Sequence, residues 1–239
     1  MEKEINKESS GIAKMFDNIA HSYDSVNHIL SFNIDKKWRK YLIERLPTTH
    51  SVKILDLATG TGDLAIMMAK HCKNGKIRAV DISEEMLNIG RKKSAKNRVE
   101  EKILFQKANG EDMPFEDNTF YYCTISFGVR NFQNLDKVLI EVYRCLKPGG
   151  KLFILEFGRK PSSKIMRLLY KIYSSVWIPM VGGVVSKNRA AYKYLPKSIE
   201  KFIHWHDFVE KMKNIGYSAV RHKKLTNGIV IFYEGMKLK

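Results

Sequence analysis

The chain has 239 residues, of which 44% are hydrophobic and 28% charged, a composition that suits one methodically packed, water-soluble domain. No run of about 18 apolar residues is present to span a membrane, the polar N-terminus lacks a secretory leader, and Cys72, Cys123 and Cys145 are too scattered for a disulfide framework or a thiolate metal site. A reducing cytoplasm is expected, and the formal net charge of +17 is the one compositional extreme. In chain order, residues 13–46 read as helices with polar breaks. Strands are expected over 52–57, 76–80, 103–106, 121–126 and 151–157, alternating with helices over 63–72, 84–96 and 134–146. The third of these helices stops at Lys147-Pro148-Gly149-Gly150, a turn into the next strand. Such alternation requires a parallel sheet covered on both faces, and right-handed crossovers make it doubly wound. Residues 163–176 then read as an amphipathic helix with Lys160, Lys164, Arg167 and Lys171 on a polar stripe. Stretches 179–183 and 187–196 read as irregular, 207–215 as a helix ended by Gly216, and 218–223 with 228–233 as an antiparallel hairpin.

The densest signal lies at the end of the first strand. Ile54-Leu55-Asp56-Leu57 breaks into Ala58-Thr59-Gly60-Thr61-Gly62 and then turns helical at Asp63. Gly60 and Gly62 have no Cβ, so a ligand can reach bare backbone amides there. Asp81 follows Gly62 by nineteen residues, at the end of the second strand, where an acid suits a ribose diol. A nucleoside-containing cofactor is therefore expected. Asp56 and Asp63 flank the loop and would repel a pyrophosphate. Asp56 suits an amino group instead, as on the methionyl end of S-adenosylmethionine. The third strand leads into Asn109-Gly110-Glu111-Asp112, a polar cluster able to address an adenine edge.

Four segments carry a resemblance: LDLATGTGDLA, DISEEMLNIGRKK, MPFEDNTFYYCTISFGVRN and YRCLKPGGKLFILEF. Together with MFDNIAHSYDSVNHILSFNIDKKWRK, AYKYLPKSI and LTNGIVIFYEG, they resemble the UbiE/MenG family of class I methyltransferases over nearly the whole chain. The glycine loop and LKPGG are common to many methyltransferases, whereas TISFGVRN, YKYLPKSI and the N-terminal segment are specific. The resemblance implies an α/β, Rossmann-like class I S-adenosylmethionine-dependent fold: a doubly wound, mostly parallel seven-stranded sheet with a helical N-terminal lid and an insertion before the last hairpin. On that reading, residues 1–239 form one methyltransferase domain. Its lid is 1–50, its cofactor-binding core 51–158, its substrate cover 159–205, and its closing helix and hairpin 206–239. The implied reaction is C-methylation of a polyprenylated quinol ring, demethylmenaquinol to menaquinol, with the ubiquinone precursor 2-methoxy-6-polyprenyl-1,4-benzoquinol as the alternative. Thr61, Asp81, Asn109, Gly110 and Ser126 match the family's cofactor contacts, and Asp56, Gly60 and Gly62 complete the expected S-adenosylmethionine site. Three positions depart from the family's usual pattern: Gly110 for a commoner Ala, His21 for a frequent Pro, and Lys197 for a frequent Glu.

Methyl transfer from a sulfonium needs chiefly positioning and a competent nucleophile. A quinol ring carbon gains that competence when its neighbouring hydroxyl loses a proton, so the site should stabilise a phenolate. Arg130 and Asn131, leaving the fourth strand, are the expected catalytic pair: Arg130 for the phenolate, Asn131 to orient the ring. The alternative for Arg130 is an ion pair that shapes the loop. Tyr23 and Asp24 are weaker candidates, as lid residues. No metal is expected, and His204, His206 and Asp207 have no recognised ligand spacing.

The charge is explained without a partner by Lys enrichment. Among partners it favours an anionic membrane surface, peripheral to the inner membrane, over nucleic acid, because Lys outnumbers Arg and bidentate phosphate recognition favours Arg. The basic helix over 163–176 either packs on the sheet as an ordinary amphipathic helix, the favoured reading, or makes that contact. A nucleic-acid methyltransferase would usually carry an Asn/Asp-Pro-Pro-aromatic turn where this chain has Ser126-Phe127-Gly128-Val129. A non-catalytic binding domain and a nicotinamide dehydrogenase are the remaining rivals, and a homodimer is compatible with the sequence.

Overall fold

A computed structural model describes residues 9–159, 163 and 189–238. Two helices come first, α1 (Ser9–Leu30) and α2 (Ile34–Ile43). The alternating unit follows as β1 (Val52–Leu57), α3 (Asp63–His71), β2 (Gly75–Asp81), α4 (Glu84–Lys96), β3 (Ile103–Lys107), β4 (Phe120–Ser126), α5 (Leu135–Cys145) and β5 (Leu146–Phe157). The chain closes with α6 (Arg189–Lys201), α7 (Trp205–Ile215), β6 (Ser218–Leu225) and β7 (Val230–Met236). The basic helix expected over 163–176 and the irregular stretch over 179–183 lie outside the described residues, Ser163 apart.

The seven strands form one sheet in the order β3-β2-β1-β4-β5-β7-β6. The first five are parallel, and β7 runs antiparallel to both β5 and β6. The order reverses between β1 and β4, so their carboxyl ends open a crevice, the usual ligand position in such sheets. One sheet face is covered by α2, α3 and α4 through residues such as Trp38, Leu42, Met68 and Leu87. The other is covered by α5 and α7 through Leu139, Val142, Phe208 and Met212. A third cluster, with Ile12, Ile19, Val26 and Leu30, packs α1 against Met86 of α4.

Local chemistry explains the helix ends. Ser83 caps α4 by accepting from the Met86 amide at 3.2 Å, with Glu84 and Glu85 in the first turn and Lys93 and Lys96 in the last. Asn134 caps α5 in the same way. Gly216, at φ 113°, ends α7.

The expected irregular stretch over 187–196 is corrected from residue 189 onward, where α6 runs straight through Pro196. Proline forfeits one helical hydrogen bond, but Tyr194 and Leu195 pack against the α1 cluster and Ser198 and Ile199 are buried, so tertiary contact sustains the helix. The strand expected over 151–157 begins instead at Leu146: Lys147-Pro148-Gly149-Gly150 passes through an irregularity in the β4 pairing while Gly149 and Gly150 exchange hydrogen bonds with Lys237.

Candidate active site

The crevice above β1 and β4 is walled by the glycine loop, whose backbone is unusual. Ala58, Gly60 and Gly62 all have positive φ, at 55°, 56° and 78°, conformations that cost energy for a residue with a Cβ. Internal hydrogen bonds hold the loop: the Thr59 amide donates to the Val80 carbonyl at 3.0 Å and the Gly62 amide to the Thr59 carbonyl at 3.0 Å. The Gly60 amide donates to Asp81 Oδ2 at 2.8 Å, and the Ser83 amide to Asp81 Oδ1 at 3.0 Å. Asp81 thus ties the end of β2 to the loop. Burial raises its carboxyl above the ordinary range despite those amides.

Asp56 is 1% exposed and accepts from the hydroxyls of Thr59 and Thr124, each at 2.6 Å. Burial outweighs both hydrogen bonds, and its carboxyl is pushed up to about 6. Asp63, by contrast, is held below the ordinary range: burial would raise it, but the charges of Arg39 and Lys93 prevail.

Helix α1 lies over this loop. Thr61 Oγ1 donates to Asp24 Oδ1 at 2.5 Å, and Lys93 Nζ reaches Asp24 Oδ2 at 2.6 Å and Thr61 Oγ1 at 3.2 Å while pairing with Asp63. About two turns earlier in α1, Asp17 accepts from Ser83 Oγ at 2.5 Å.

Two cavities flank the loop. The smaller, about 80 Å³, is lined by Asp81, Ile82, Met86, Asn109, Gly110 and Asn131. The larger, about 280 Å³, is lined by Asp56, Thr61, Arg39, Arg130, Trp38 and Leu195 among others. Phe16, Tyr23, Ala58, Gly60, Ser126 and Phe127 line both, so the two meet there. Ser126 Oγ, at that junction, is buried without a hydrogen-bond partner. A buried hydroxyl left unpaired is costly, so this atom marks where a polar ligand atom fits. A Cβ on Gly110 would meet the Phe132 ring at 3.1 Å and Leu57 at 3.3 Å, so Ala could fit only if these neighbours yielded slightly.

The structure brings nine of the ten expected site residues to a cavity wall: Asp56, Gly60, Thr61, Asp81, Asn109, Gly110, Ser126, Arg130 and Asn131. Gly62 stands apart, under the loop at the N-terminus of α3, where a Cβ would lie 3.0 Å from the Phe105 ring. Arg130 forms the ion pair weighed as its alternative role, with a partner from β5: Nη1 meets Glu156 Oε1 at 2.8 Å and also donates to the Phe127 carbonyl, while Nε donates to Ser198 Oγ at 3.3 Å. It still lines the larger cavity. Asn131 turns to the smaller one and accepts from the Tyr194 hydroxyl at 3.1 Å. The short 3-10 turn Val129–Asn131 separates the two side chains, since neighbours there project about a third of a turn apart. His204 and His206 are exposed and stack with Trp205 and each other.

Sequence reasoning missed Glu156, Asp35 and Arg39. Glu156 is 0% exposed within the apolar run Phe153-Ile154-Leu155, the same signal that singled out Asp56. Asp35 is 4% exposed, takes hydrogen bonds from Ser31 and pairs with Arg39 and His28. His28, Asp35 and Asp63 offer ligand atoms within 4.8 Å of one another, but Arg39 and Lys93 already balance the two carboxylates.

Strand order, glycine loop and acid at the end of β2 define a class I S-adenosylmethionine-dependent methyltransferase fold. A methyltransferase of Thermotoga maritima shares it, with a TM-score of 0.67 and 18% identity, over 95% of this chain and 99% of that one. The profile of the ubiE/COQ5 methyltransferase family matches residues 3–237, and the chain belongs to that family. It is 41% identical to the demethylmenaquinone methyltransferase of Bacteroides fragilis over 97% of this chain and 94% of that protein. It is 37% identical to the mitochondrial 2-methoxy-6-polyprenyl-1,4-benzoquinol methylase of Caenorhabditis elegans over 98% of this chain and 82% of that one.

Proposed function

We propose that this methyltransferase transfers a methyl group from S-adenosylmethionine to a ring carbon of a polyprenylated quinol, converting demethylmenaquinol to menaquinol. The observation that carries the substrate is the 41% identity to the Bacteroides fragilis demethylmenaquinone methyltransferase along nearly the full length of both chains. The likeness to the Caenorhabditis elegans benzoquinol methylase favours a second reading, methylation of a 2-methoxy-6-polyprenyl-1,4-benzoquinol.

The residues fit the cofactor. The smaller cavity offers Asp81 for ribose hydroxyls and Asn109 with Gly110 for an adenine edge, and the unpaired Ser126 hydroxyl stands at the junction. When bound, S-adenosylmethionine supplies a methyl group activated by its sulfonium. Everything else is the work of side chains. Met15, Ile19, Trp38, Phe157 and Leu195 give the larger cavity the apolar wall that a quinol ring and its tail require. Arg130, fixed by Glu156, gives that cavity a cation whose position is set in advance, so a ring hydroxyl beside it loses its proton more readily. Phe16 and Tyr23 line the junction, where their rings would help keep water from the reacting atoms. A polyprenyl tail keeps such a quinol in lipid, and the net charge of +17 favours visits to an anionic membrane surface. No helix among the described residues is long and apolar enough to cross a membrane.

The deciding experiment incubates the protein with methyl-labelled S-adenosylmethionine and either reduced demethylmenaquinone or the demethylated benzoquinol, then identifies the product. Label in menaquinol is the expected result. Label in the benzoquinol alone would assign the second reading, and label in neither would reject both.

A further inference from the structure

Methionyl recognition poses a charge problem in this site. The larger cavity presents Asp24, Asp35, Asp56 and Asp63 beside the glycine loop. An ammonium group is easily matched there, whereas an α-carboxylate would be repelled unless a cation faced it. Three cations lie close enough to consider. Lys93 is committed to Asp24, Asp63 and Thr61. Arg130 has Nη1 and Nε taken by Glu156, the Phe127 carbonyl and Ser198, and its remaining Nη2 is already assigned to the quinol hydroxyl.

Arg39 differs from both. It projects from α2 into the larger cavity with its side chain 11% exposed and its guanidinium 5.7 Å from the Phe127 ring centroid. Nη1 pairs with Asp35, one helical turn away. Nε, however, is buried without any hydrogen-bond partner. Nε and Nη2 form the side of a guanidinium that grips a carboxylate through two parallel hydrogen bonds. Asp35 therefore anchors one corner of the group and leaves its two-pronged edge uncommitted. Arg39 also acts on both acids flanking the loop: its charge helps hold Asp63 low and opposes the burial that raises Asp56. It stands on the methionyl side of the junction, away from the residues around Asn109.

We propose that Arg39 is the receptor for the α-carboxylate of the cofactor's methionyl end, held ready by Asp35. This rests on the reading that the cofactor is S-adenosylmethionine.

The test is a calorimetric titration of the full chain with two ligands: S-adenosylhomocysteine and its decarboxylated analogue, which keeps the amine. Wild type, Arg39→Met and Arg39→Lys are compared, with a thermal melt of each to verify folding. Arg39→Met should weaken S-adenosylhomocysteine by roughly 10- to 100-fold, the range for a lost charge-assisted hydrogen bond. Its affinity for the decarboxylated analogue should stay within about twofold, because that ligand never made the contact. Arg39→Lys retains charge without the two-pronged edge and should lose roughly three- to tenfold, again for the carboxylate ligand alone; should the Met variant fail to fold, this one decides. Equal losses for both ligands would overturn the proposal in favour of a structural role. Unchanged affinity for S-adenosylhomocysteine with a raised KM for quinol would overturn it in favour of a substrate contact. If wild type binds neither ligand, the cofactor reading itself falls, and the assignment of Arg39 with it.

Discussion

Glu156 offers a clean perturbation because nothing about it is half-buried. It is 0% exposed and accepts from three donors: Arg130 Nη1 at 2.8 Å, the Arg130 amide at 3.2 Å and the Phe157 amide at 2.7 Å. Glu156→Gln keeps the shape and one accepting oxygen but leaves the Arg130 guanidinium without its counter-charge. Breaking a buried ion pair from one side costs about 3 to 5 kcal/mol. Arg130 keeps the Phe127 carbonyl and Ser198 Oγ, which places the loss at the lower end, about 3 kcal/mol. For a chain of this size that is a fall in Tm of roughly 6 to 12 °C. The second variant, Glu156→Gln with Arg130→Met, removes the stranded charge and should recover at least about 1.5 kcal/mol. Urea unfolding followed by circular dichroism measures all three proteins. If Glu156→Gln loses less than about 1 kcal/mol, or if the double variant is less stable than the single one, the reasoning from an uncompensated buried charge is refuted. The double variant also separates stability from chemistry: refolded but without Arg130, it should still fail to methylate quinol.

Asp56→Asn should change stability in a pH-dependent way. Its folded carboxyl is raised by burial to about 6, so protonated Asp56 favours the fold, and that contribution is present in full below about pH 4 and lost as pH rises through 6. The Asn variant should therefore be more stable than wild type by about 3 kcal/mol at pH 8 and gain nothing near pH 4, as read from unfolding midpoints across pH; a gain independent of pH would contradict this account. Gly128→Ala should cost about 1 to 3 kcal/mol, because its Cβ would lie 2.5 Å from that of Ala58. Adding Ala58→Gly removes the clash and relaxes a φ of 55°, so the pair should melt near wild type, and an equally unstable pair would point elsewhere. Ser126→Ala should leave the unliganded protein as stable or up to about 1 kcal/mol more so, since its hydroxyl has no partner, while weakening S-adenosylhomocysteine several-fold in the same titration.

Much of this architecture was readable because its signals are local. β1 falls on the expected residues 52–57, since a buried parallel strand is a continuous apolar run and its end is fixed by the glycine loop. α4 likewise matches, its start set by Ser83 and its end by the last lysines. The misreadings came where distant chain decides. The stretch 187–196 read as irregular, but burial of Ser198 and Ile199 keeps a helix intact from Arg189 through Pro196. Leu146 joined a strand because it pairs with Phe120 of β4, and Lys237, far along the chain, bonds the glycines after it. In the site, glycines and acids at strand ends announced themselves by being out of place in apolar or helical contexts. Arg39 did not, since it stands in a basic run with Lys36, Lys37 and Lys40, and only the docking of α2 beside the loop leaves its side chain 11% exposed. The partner of Arg130 was hidden for the same reason, as pairing of β4 with β5 brings Glu156 across.

The two polar clasps of α1, Asp17 on Ser83 and Asp24 on Thr61 and Lys93, have a consequence for the order of events in turnover. They fasten the helix across the loop and the adjoining strand end, and Ile12, Phe16 and Tyr23 of the same helix line the smaller cavity, so exchange of its occupant is expected to require the helix to undock. The nucleoside should accordingly bind before the quinol, and the spent thioether should depart last. The expected outcome is a steady-state rate limited by undocking of the helix rather than by transfer of the methyl group. Its signatures are inhibition by S-adenosylhomocysteine that is competitive with the cofactor alone, and a kcat that rises when Asp17→Asn loosens the outer clasp.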